Sequence, residues 1–72
     1  MNDNILTELK SSYNHLLNRF YNGCKYCEEH KQEASRWIPE IIRIQQGLNY
    51  FLSQIMEYEE VDSKTILEGF DI

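Results

Sequence analysis

Leu6, Leu9, Tyr13, Leu16 and Phe20 follow one another at alternating steps of three and four, which places them on one stripe of an α-helix. The same alternation continues through Gly23, Cys27, His30, Ala34 and Trp37, then Ile41, Ile44, Leu48, Phe51, Ile55 and Tyr58, without losing phase. One interruption falls inside it. Pro39 removes a backbone donor and pushes Ile38 away from helical angles, so the chain is expected to turn there, with Ser35 capping a new helix whose first turn tolerates the proline. The pattern thus predicts an all-α fold: helix 1 over about residues 4–34, opened by Asp3 as N-cap, and helix 2 over about 37–60. A short connection makes the pair an antiparallel hairpin. Asn22-Gly23 is a turn signal and leaves a three-helix bundle, split at that dipeptide, as the alternative. A glycine inside a helix costs only about 1 kcal/mol against alanine, which favours the continuous helix. A turn centred at residues 36–37 sets Gly23 opposite Tyr50 and Gly47 opposite Tyr26, so each glycine is expected to admit a tyrosine ring against the facing backbone.

Helix 2 carries a second apolar row, Ile38, Ile42, Leu52 and Met56, widened by Tyr50. A helix apolar over more than about 100° needs cover from two directions. The expected cover is a second copy, giving a homodimeric four-helix bundle with coiled-coil-like packing; the rival is a monomer in which the tail suffices. Size sharpens the point. The 72 residues, 42% apolar and 26% charged, belong to a single helical domain, and a core in a chain this small rarely supplies more than about 3–5 kcal/mol. Small domains of this kind are held by disulfides, a metal or self-association. The opening MNDNILTELK lacks the basic start and apolar run of a signal peptide, and no apolar run approaches a membrane span, so the expectation is a cytoplasmic protein that does not enter a membrane. Thiols stay reduced in that compartment, which argues against a disulfide between Cys24 and Cys27, the only cysteines.

The segment GCKYCEEH, residues 23–30, is the one stretch that resembles site chemistry. Cys24, Cys27 and His30 are weak candidates for metal ligands: on a helix they share an arc of about 120°, yet a closed zinc site wants four ligands. His15 lies nine residues and about 13 Å of helix rise from Cys24. A redox pair of this spacing ordinarily follows a strand, and no strand pattern exists. The expectation is therefore no metal and no cofactor, with the cysteines acting as small apolar members of the helix seam. Catalysis has no constellation to work with, since Glu28 and Glu29, like Glu59 and Glu60, are adjacent carboxylates that point to different sides of a helix. An enzyme is not expected.

Charge is unevenly placed. Residues 1–56 hold six basic and six acidic side chains, so the net charge of -5 lies wholly in the last sixteen, where Glu57, Glu59, Glu60, Asp62, Glu68 and Asp71 oppose Lys64. Direct binding to nucleic acid needs a basic face, which this chain lacks. An acidic end suits a protein partner with a basic surface, contacted through Glu57, Glu59, Glu60, Asp62 and Phe70. Within the acidic, apolar tail 61–72, Asp62 can cap a helical turn through Leu67 and Gly69 can end it, folding Ile66, Leu67 and Phe70 back over Ile5, Leu6 and Leu9. The rival is a docking segment that orders only on a partner. The sequence therefore predicts a small non-enzymatic regulator that acts by protein–protein binding on a helical hairpin. The alternative is an acidic phage or mobile-element inhibitor that blocks a basic groove of a nucleic-acid-handling protein.

Overall fold

The computed structural model describes residues 2–71, with the side chains of Asn2 and Asp3 excepted, so the Asp3 cap and Ile72 lie outside the described residues. Three helices follow in order: α1 (Asn2–Glu29), α2 (Ala34–Met56) and the short α3 (Ser63–Glu68). No strand occurs among the described residues. α1 and α2 pack along each other as the expected hairpin, giving a rod of 47 × 19 × 17 Å.

α1 runs unbroken through Asn22-Gly23, so the three-helix split is corrected: no turn forms at that dipeptide. The hairpin turn also differs from expectation. It occupies residues 30–33 and lies ahead of Pro39, which sits inside α2. Ser35 is within that helix, and Glu33 holds the N-cap position without a side-chain hydrogen bond. The N–H that proline lacks would have bonded the carbonyl of Ser35, and Ser35 is exposed, so the lost bond is one that water can replace. The turn is held instead by backbone bonds from Glu33 N to His30 O at 2.9 Å and from Arg36 N to Glu33 O at 3.0 Å. A side-chain bond from the Tyr26 hydroxyl to Glu33 Oε2 at 2.6 Å closes it.

Moving the turn moves the register. An added Cβ at Gly23 would meet Ile41 Cγ1 at 3.4 Å, and one at Gly47 would meet Leu16 Cδ1 at 2.8 Å. Each glycine therefore faces an aliphatic side chain, which corrects the glycine–tyrosine pairing. Gly47 alone marks a close helix approach, since a methyl there would displace Leu16.

α2 ends at Met56, short of residue 60. Glu57, Glu59 and Glu60 would set carboxylates against the negative end of the helix dipole, and the chain unwinds as they begin. Asp62 then caps α3 by accepting from Thr65 N at 2.8 Å, and Gly69 closes it at φ 96°, the left-handed conformation that favours glycine. Both tail signals act as the sequence implies. The tail's landing place is different: it lies over Tyr13, Asn14, Leu17 and Tyr21, and Ile5 stays half exposed. The core is Tyr13, Leu17, Ile44, Leu48 and Ile55, with Leu6, Leu9, Leu16, Phe20, Phe51, Leu52, Val61 and Phe70 packed against it. Leu17 stands off the main stripe and is buried because the tail reaches it: Leu17 Cδ2 lies 3.6 Å from where a Cβ on Gly69 would be.

Candidate interaction surface

The tail is fixed by three residues of α1. Tyr13 donates its hydroxyl to Ile66 O at 2.7 Å, and Tyr21 donates to Leu67 O at 2.5 Å. Asn14 binds Phe70 twice, accepting from its N–H at 2.6 Å and donating to its carbonyl at 2.8 Å. That double bond imitates the pairing of one backbone strand with another and satisfies both groups of Phe70. The Phe70 ring meets Tyr13 edge-on at 5.3 Å, and the Lys10 ammonium lies 5.6 Å from its centroid. Burial raises the pKa of the Tyr13 phenol, and the neighbouring Tyr21 adds to the effect.

These contacts decide what remains for a partner at the acidic end. Of the five residues expected to contact one, Phe70 packs inside the chain and Asp62 caps α3, where its hydrogen bonds to Thr65 hold its carboxyl below the usual carboxylate range. Glu59 pairs with Lys10 at 3.2 Å. Glu57 and Glu60 are exposed beside Tyr58, which is also exposed. The sequence gives no direct sign that Asn14 and Tyr21 would tie down the tail. In retrospect the available signal is their flanking position, one and eight residues beyond the seam residue Tyr13.

At the other end of the rod, Cys24 and Cys27 are free thiols, half-buried on α1, and His30 is exposed in the turn. His30 stacks on Tyr26 at 4.2 Å, and Tyr26 meets Trp37 edge-on at 5.5 Å. Bonding to Glu33 raises the pKa of Tyr26. His30 therefore belongs to the turn's aromatic cluster and not to the seam. Among the described residues no group of three His, Cys, Asp or Glu side chains is placed to hold a metal ion.

The row expected as a dimer contact is mostly bare. Ile38, Ile42 and Met56 are 51%, 47% and 53% exposed, while Leu52 is half-buried against the core. Tyr50 is exposed too, with its ring edge-on to Phe51. The clefts are open to solvent; one of about 430 Å³ lies between α1 and the tail, lined by Asn14, Leu17, Asn18, Tyr21, Leu67, Glu68 and Gly69. Among the described residues no helix is long and apolar enough to cross a membrane. The chain matches no described protein family, and no curated protein and no solved structure is similar to it.

Proposed function

We propose that this chain is a small non-enzymatic regulator that works in the cytoplasm by binding another protein, with the helical hairpin as a rigid scaffold. One observation carries the reading: among the described residues five large apolar side chains are buried and nine are exposed. A small chain that leaves nine large apolar side chains exposed has surface fitted to contact. The titratable groups with shifted pKa values support the same view. Tyr13, Tyr26 and Asp62 owe their shifts to contacts that hold tail, turn and cap, which is structural work.

A second reading has its own support at the acidic end. Glu57 and Glu60 stand exposed beside Tyr58, a charged and apolar edge suited to a basic groove. This is the form in which an acidic inhibitor of a nucleic-acid-handling protein would act. Five net charges over sixteen residues are few beside a duplex carrying one per about 1.7 Å, so local blocking fits better than mimicry of DNA.

Affinity capture from a lysate of the source cells, with wild type and two variants as bait, tests both. A captured protein lost on Glu57→Lys with Glu60→Lys, and lost from wild type at high salt, supports the acidic contact. One lost only on Tyr50→Ser with Tyr58→Ser supports an apolar contact. Capture of the same proteins by every bait, or of none, would remove the regulatory reading.

A further inference from the structure

The bare row on α2 has an internal symmetry. Advancing 100° per residue, Ile38, Ile42, Gln45, Asn49, Leu52 and Met56 form a stripe about 100° round the helix from the core line of Ile44, Leu48 and Ile55. Its steps are four, three, four, three and four, and its character runs apolar, apolar, amide, amide, apolar, apolar. Both sequences read the same from either end. We infer that α2 pairs antiparallel with α2 of a second copy about a two-fold axis beside position 47. Ile38 of one protomer then packs against Met56 of its partner, Ile42 against Leu52, and the Gln45 amide against the Asn49 amide.

Three observations favour a second copy over another occupant. A two-fold interface must be self-complementary, and a palindromic stripe is what that condition asks of one helix. The face also lacks charge: none of Ile38, Ile42, Gln45, Asn49, Leu52 and Met56 is ionisable, so it offers a basic partner nothing, whereas a neutral surface meets itself without penalty. Exposure agrees: Ile38, Ile42 and Met56 are 51%, 47% and 53% exposed along this one side of α2, apolar surface that a second copy would cover. Gln45 and Asn49, both exposed, stand at the centre of the stripe, where amides paired across the axis set direction and register at some cost in stability.

The inference goes beyond the proposed function and stands apart from it, because it is read from the mass of the purified chain and not from any captured protein. Sedimentation of wild type should give twice the chain mass. Ile38→Glu with Ile42→Glu should keep its helical circular dichroism and lose the dimer, since both positions are half exposed within the single chain. Gln45→Lys with Asn49→Lys should also be monomeric, by repulsion across the axis. Gln45→Glu with Asn49→Lys separates the two possible directions: antiparallel pairing sets opposite charges together and keeps the dimer, while parallel pairing sets like charges together and loses it. A monomeric wild type, a dimeric Ile38/Ile42 variant, or a monomeric Glu/Lys variant would each overturn the assignment.

Discussion

α1 and α2 are similar in length but are held differently. α1 is covered from two directions: α2 packs along one side, and the tail binds Tyr13, Asn14 and Tyr21 on the other. α2 packs on α1 and is approached by α3 as well, but none of the tail's side-chain hydrogen bonds reaches it, and its ties to α1 include an exposed ion pair between Glu40 and Arg19 at 3.5 Å, which contributes little. The tail's long-range hydrogen bonds all go to α1. In a protein this small one helix can be enclosed from within, and the other keeps a bare flank of Ile38, Ile42 and Met56. That difference links the fold to self-association, since an apolar flank left outside is the part of the molecule able to pair with a second copy.

The largest effect should come from the face the two helices share. Leu48→Asp places an unpaired charge in the core and should abolish the cooperative unfolding transition, because the cost exceeds the roughly 3–5 kcal/mol such a core supplies. Ile42→Asp on the bare flank should leave the helical signal of the single chain intact. Equal damage from both would erase the contrast between the faces.

Deleting residues 62–72 should come next. Removal of the tail uncovers Tyr13 and Leu17, so the melting temperature should fall clearly as apolar surface is exposed at about 25 cal/mol per Å². An unchanged melting temperature would mean that the tail docks elsewhere. A narrower change, Asn14→Ala, removes both bonds to Phe70 while keeping the tail's apolar contacts. It should cost about 1–3 kcal/mol in chemical denaturation, the scale of buried backbone groups left without partners.

Alkali should act on the same clamp. The Tyr13 pKa is raised in the folded chain, so its contribution is fully present below the usual tyrosine value near 10.0 and is lost as pH rises through the higher folded value. Tyr13→Phe should flatten that loss in stability measured against pH, while giving up the bond to Ile66 at neutral pH. Smallest of all, Cys24→Ser with Cys27→Ser should fold normally and lose about 1–2 kcal/mol, as half-buried residues of α1. Stoichiometric zinc released from the wild type would contradict that role.

The helices and the central core were legible because burial leaves a periodic trace: Tyr13, Ile44, Leu48 and Ile55 all lie on the stripe read from residue 6 onward. The turn was not, and the same stripe explains why. The link at residues 30–33 occupies about one helical turn of sequence, so His30 and Ala34 keep the phase and the pattern runs straight across it. Pro39 then drew the turn toward itself, although an exposed second turn of a helix can carry a proline. The tail was half legible. Asp62 and Gly69 act locally and so could be read, whereas its seat on Asn14 and Tyr21 depends on bonds spanning 56 and 46 positions. For the interaction surface, the row Ile38, Ile42, Leu52 and Met56 was visible as a second stripe. Phe70, proposed for a partner, proved to be packed within the chain, because its position next to acidic residues says nothing about the Asn14 amide that holds it.

Melting the wild-type chain over a wide range of concentrations tests most directly whether the bare flank of α2 is closed by a second copy. Association that stabilises the native state makes the midpoint depend on protein concentration. A dimer through α2 predicts a melting temperature that climbs with each tenfold increase, and a climb that disappears in the Ile38→Glu, Ile42→Glu variant. A wild-type midpoint that stays fixed across the range would contradict the account, leaving α2 bare in solution.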